Sequence, residues 1–196
     1  SELTDIMKKV FNYDKQLLIL HPNQILNDSS IISQILEKLK GKNEVEFEGR
    51  TVKVTDLLKS VTKTMNEKGE LGKWIGLGDT DIIILNLPDN PSTEQIGKAV
   101  LTLGHELGHA IFNQVIGNAL ANKMMRKRLT KEFELDRAKI GTQQYEGRHG
   151  FEEWFSDKMG SWILREAGIV TADAQGNLAS NPDASAKNAV DSFFKR

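Results

Sequence analysis

Residues 105–109 read His-Glu-Leu-Gly-His, and no other stretch of the chain restricts the fold so tightly. On a helix, positions i and i+4 lie nearly one above the other, so both imidazoles point the same way. Two imidazoles placed like this can ligate zinc, and the Glu beside the first can act as a general base. The chain must therefore supply a helix here, bury one face of it, and leave the histidine face open to a cleft. The expected chemistry is attack of a zinc-activated water on a peptide carbonyl.

A suitable helix is written around the motif. Ser92 and Gln95, just after Pro91, form a capping-box pattern. Ile96, Val100, Leu103, Leu107 and Ala110 recur at helical spacing and mark a core face. Thr102, His105, His109 and Phe112 fall on the neighbouring face, which should look into the cleft. Gly104 and Gly108 each cost roughly 1 kcal/mol of helix propensity relative to Ala. They imply close approach by a ligand, another backbone or a packed helix.

A catalytic zinc takes three protein ligands and keeps a position for water. The extended form H-E-x-x-H-x-x-G-x-x-H is excluded, because Phe112 and Val115 occupy its Gly and His positions. His21 and His149 show no comparable pattern, which leaves a carboxylate. Two Glu-x-x-x-Asp blocks lie downstream, at Glu132–Asp136 and Glu153–Asp157. Each can set a ligating Glu and an Asp one turn apart, with the Asp holding an imidazole through its other ring nitrogen. The first block sits in a highly charged stretch, where carboxylates are usually solvated. The second sits among Phe151, Trp154, Phe155, Met159, Trp162 and Ile163, so Glu153 is favoured as ligand with Asp157 behind the imidazole. Glu132 with Asp136 is the alternative. Glu152 ranks behind both, because its i+4 residue is Ser156. Tyr145, Arg148 and His149 precede the second block and are candidate donors to the oxyanion of a tetrahedral intermediate.

The motif His105-Glu-Leu-Gly-His109 followed by Glu153-x-x-Ser156-Asp157 resembles the zincin superfamily of metallopeptidases, in particular the gluzincin type with its downstream Glu ligand. The block Phe151–Asp157 is also similar to one in metallopeptidase-like domains of large polyvalent phage proteins. The resemblance covers about residues 92–166. It implies an α+β, zincin-like fold, with a small mixed sheet packed on an active-site helix and a mostly helical C-terminal half. It further implies one zinc ion on His105, His109 and Glu153, Glu106 as general base, and a protein or peptide substrate. Residues 110–152 form a longer connection than the best-known gluzincins have, which keeps Glu132 in play. In zincins a sheet strand lies above the active-site helix and its edge pairs with extended substrate. Residues 74–87 are the region to supply it, although the unbroken apolar run Ile82–Leu85 suits a strand buried on both faces.

The 196 residues fit one domain, or one domain with a small appendage, and 27% charged residues are ordinary for a soluble chain. A net charge of −1 carries no global signature for nucleic acid. The absence of Cys excludes disulfides, zinc ribbons and thiol catalysis. No apolar run approaches the ~20 residues a membrane helix needs, and no signal-peptide pattern is visible. A start at Ser1 is what a processed or excised chain would show.

Three regions are expected: a helical and hairpin region at 1–70, a catalytic core at 71–167, and a loop with a final short helix at 168–196. Within the first, residues 5–11 and 30–39 read as amphipathic helices. Val45–Phe47 and Val52–Val54 read as a hairpin around Glu48-Gly49, and a helix capped by Thr55 runs to Gly69. Gly69, Gly72, Gly76 and Gly78 read as a flexible turn region, and Ile82–Leu87 as a strand. Residues 117–140 read as a helix with Leu120, Met124, Leu129, Phe133 and Ile140 inward. Its basic run, Lys123 to Lys131, reads as a solvated face, with phosphate contact as the lesser alternative. Two rival functions follow: a non-catalytic zincin-like interaction domain, and a DNA-associated module of a phage or mobile-element protein.

Overall fold

The computed structural model describes residues 2–117, 123–140 and 149–166. Its elements are α1 (Glu2–Phe11), β1 (Gln16–Leu20), α2 (Pro22–Asn27), α3 (Ser29–Lys38), β2 (Glu44–Phe47), β3 (Arg50–Lys53), α4 (Val54–Lys68), β4 (Gly72–Leu77), β5 (Thr80–Leu85), α5 (Thr93–Gly117), α6 (Lys123–Ile140) and α7 (Gly150–Glu166). The arrangement is α+β, and every described element after β5 is a helix.

All six residues of β5 are buried, as its apolar run demands of a strand covered on both faces. It is the middle strand of a small mixed sheet in the order β1-β5-β4, parallel to β1 and antiparallel to β4. Strand alternation sends Ile83 and Leu85 into a core shared with α5 and α7. Ile82 and Ile84 enter a second core with Ile25, Ile35, Leu57, Leu58 and Met65 of α2, α3 and α4. The sheet thus lies between two helical layers, and it draws strands from both sides of the 70/71 boundary expected from sequence.

The cleft-side edge is β4, not β5. The glycines of residues 72–78 lie mostly within this strand rather than in a flexible turn. Gly72 is there for space, because a Cβ at that position would collide with Thr102 of α5. The expected hairpin forms as β2–β3. Its Glu48 and Gly49, at φ 50° and 76°, match a tight turn with both central residues left-handed. α4 begins one residue before the expected cap, with Lys53 as N-cap making no side-chain cap bond, and ends at left-handed Gly69. β1 and α2 are additions; five and six residues are too short for periodicity to declare them.

The capping box of α5 forms in both directions, Ser92 N–H to Gln95 Oε1 at 2.9 Å and Gln95 N–H to Ser92 Oγ at 3.2 Å. Its core stripe, Ile96, Val100, Leu103, Leu107 and Ala110, is buried throughout. α7 packs antiparallel on it. A Cβ on Gly108 would strike the Ser156 backbone, and one on Gly160 would strike the Gly104 carbonyl. Close helix packing therefore accounts for Gly108 and for Gly160, which faces Gly104. Phe112 packs on Phe151 and Phe155 rather than opening to the cleft.

On α6, Phe133 is buried and Lys127 and Lys131 are exposed. Leu120, Tyr145, Arg148 and the expected terminal loop and helix at 168–196 lie outside the described residues. No helix among the described residues is long and apolar enough to cross a membrane.

Candidate metal centre

α5 presents His105 and His109 one turn apart, with their Nε2 atoms 3.0 Å from each other. The antiparallel α7 lays three carboxylates against them. His105 Nδ1 lies 2.6 Å from Asp157 Oδ1, and His109 Nδ1 lies 3.0 Å from Glu152 Oε1. An ionised carboxylate only accepts, so Nδ1 of each ring carries the proton and Nε2 of the neutral ring offers a lone pair. Into the space between the Nε2 atoms comes Glu153, with Oε2 2.9 Å from His105 and Oε1 3.5 Å from His109.

When both rings are neutral, as metal binding requires, three acceptor groups converge with no donor between them. A tetrahedral ion bound at 2.0–2.1 Å would space its donor atoms about 3.3 Å apart. The separations here are 3.0 Å between the Nε2 atoms, and 2.9 and 3.5 Å from them to Oε2 and Oε1 of Glu153, on either side of that value. The donor atoms of His105, Glu106 and His109 also fall within 4.8 Å of one another, a group that can hold a metal ion.

Two glutamates thus stand near the imidazole pair, in different surroundings. Glu153 is half-exposed and touches both Nε2 atoms. Glu106 is 8% exposed and accepts the backbone N–H of Trp74 from β4. Burial pushes the Glu106 carboxyl above the usual carboxylate range, against the pull of His109, His105, the Trp74 N–H and Lys73. For His105 burial favours the neutral ring. The hydrogen bond and charge of Asp157, with the charges of Glu106 and Glu153, outweigh it and raise the pKa.

The site floors a cleft of about 780 Å³. Leu71 and β4 residues Gly72 to Gly76 form one wall, and Phe47 and Glu48 of the hairpin reach its rim. His149 lines the mouth, largely exposed, with Nδ1 4.0 Å from Glu152 Oε2.

His105, Glu106, His109, Glu153 and Asp157 are brought together. Glu132 is exposed on α6 and does not line the cleft. Its companion Asp136 accepts from Trp154 Nε1 at 3.0 Å and pairs with Lys158 at 3.5 Å. Glu152 is the residue that sequence reasoning undervalued. The i+4 rule looks along one helix, whereas Glu152 meets His109 across two. Trp74 was likewise not singled out. Its indole faces the His109 ring at 6.2 Å between centroids and 15° between planes.

Comparisons with protein-family models, with curated proteins and with solved structures find no match to this chain.

Proposed function

We propose that the chain is a zinc metallopeptidase of zincin-like fold and gluzincin type, with His105, His109 and Glu153 as the ligands of one zinc ion. The observation that carries this reading is the convergence of the two Nε2 atoms and the Glu153 carboxylate, each imidazole being tied at Nδ1 to a carboxylate. When bound, zinc would lower the pKa of water toward about 7 and polarise the scissile carbonyl.

The chain's own residues do the rest. Glu106 takes the proton of the attacking water on its carboxylate and returns it to the leaving amine nitrogen. Its raised proton affinity suits a group that must hold that proton between the two steps. The Trp74 N–H keeps the carboxylate aimed. β4 pairs with β5 on one side only among the described residues, so its outer edge offers backbone groups to an extended peptide, and the cleft beside it selects side chains. His149 stands at the mouth as a donor for the oxyanion; Tyr145 is proposed for the same role on its sequence position alone. A buried general base has no use in a binding module, which favours an enzyme over a non-catalytic domain.

Glu106→Gln tests the reading. Hydrolysis of a general protein substrate should fall at least about 100-fold while zinc content stays at the wild-type level. Full activity in this variant would contradict the assigned role.

A further inference from the structure

Asp81 is a carboxylic acid, 0% exposed, in the middle strand of the sheet, where the four residues after it are apolar. Burying a carboxylate is costly unless it is well hydrogen-bonded, and an apolar side chain would serve the strand at lower cost. Asp81 accepts two bonds. Tyr13 Oη–H donates to Oδ2 at 2.6 Å and Trp74 Nε1–H donates to Oδ1 at 2.9 Å. Burial nonetheless pushes its pKa up, so the two bonds do not fully offset the loss of solvent.

The route to Trp74 is built into the sheet. Asp81 pairs with Gly76 across β5 and β4, and Trp74 lies two residues before Gly76 on the same face. A Cβ on Gly76 would lie 2.7 Å from Cζ2 of Trp74. The indole therefore crosses over a residue with no side chain to reach the carboxylate. Pinned there, its ring lies nearly parallel to the imidazole of His109. The same residue's backbone N–H holds Glu106.

We infer that Asp81 is a positioning residue for the centre: by anchoring the Trp74 indole across Gly76, it fixes the wall against which His109 is set. This rests on the metallopeptidase reading only for its consequence on zinc. Glu152 fixes one edge of the His109 ring at Nδ1, and the Trp74 indole lies nearly parallel to one of its faces. A purely structural Asp81 would instead serve to tie Tyr13, after α1, to the sheet. The two roles separate cleanly, because Tyr13→Phe removes the Tyr13 bond and leaves the Trp74 bond.

The experiment compares wild type, Asp81→Leu, Gly76→Ala and Tyr13→Phe. Leu keeps the branched shape of Asp81 but cannot accept from the Trp74 indole, whereas the amide oxygen of Asn still could. Two quantities are read: zinc affinity by chelator competition, and the ring ¹H–¹⁵N signals of His109 in metal-free protein. Asp81→Leu and Gly76→Ala should each weaken zinc binding about tenfold, the low end for partners behind a ligand, and shift the His109 ring signals. Tyr13→Phe should do neither. Unchanged affinity and ring signals in Asp81→Leu, or an equal effect of Tyr13→Phe, would overturn the inference. Should Asp81→Leu not fold, Gly76→Ala carries the test with Asp81 intact. Should wild type bind no zinc, the metal reading fails by itself and the metal-free ring signals decide the positioning role.

Discussion

Each imidazole of the centre is gripped at the nitrogen that faces away from its partner, His105 by Asp157 and His109 by Glu152. This fixes tautomer and ring angle together, and partners of this kind are typically worth 10–100-fold in metal affinity. Glu152→Ala should therefore weaken zinc binding by at least about tenfold in chelator competition, although Glu152 touches neither Nε2 atom. An unchanged affinity would mean that the helix alone orients His109. His105, Glu106 and His109 were legible because i,i+4 spacing is a property of one helix. Glu153 and Asp157 were legible because acids among aromatics need a reason. Glu152 and Trp74 were not, because their roles depend on which elements cross the motif helix and in which direction.

The crossing of α5 and α7 is where sequence becomes site. Gly104 and Gly108 face Gly160 and Ser156, backbone against backbone, and this close approach lets Glu152, Glu153 and Asp157 reach the histidines. The sequence leaves Gly108 open between ligand and packing; the close approach of the Ser156 backbone decides for packing. Two magnitudes compete in Gly160→Ala. Ala gains about 1 kcal/mol of helix propensity, whereas overfilling a packed contact costs about 1–3 kcal/mol or more. The obstacle is the Gly104 carbonyl, which cannot rotate aside like a side chain, so the cost wins. A backbone obstacle puts the cost at its upper end, so urea unfolding should show a net loss of about 2 kcal/mol, with weaker zinc binding alongside. A variant as stable as wild type would contradict the contact. β4 escaped sequence reading for a related reason: Gly72 and Gly76 look like turn residues, yet they make room for Thr102 and Trp74.

At the scale of the molecule, the sheet separates two cores and only one of them serves the centre. Ile83 and Leu85 anchor the side that carries α5 and α7, whereas Ile82 and Ile84 close the layer of α2, α3 and α4. The N-terminal region contributes β1 to the sheet and Tyr13 to the carboxylate of Asp81, so residues far before the His-Glu-Leu-Gly-His motif help to shape the wall beside it. That long-range pairing is invisible to periodicity, which sees neighbours in sequence only. The class α+β and the motif helix were readable; the strand order was not.

The central claim is that three residues on two helices hold one ion, and metal stoichiometry tests it most directly. Wild type, Glu153→Ala and Glu132→Ala would be purified side by side and their metal content measured by mass spectrometry. The account predicts about one zinc per chain in wild type and in Glu132→Ala, and its loss in Glu153→Ala. Zinc retained by Glu153→Ala, or no metal in wild type even after zinc is added back, would contradict it.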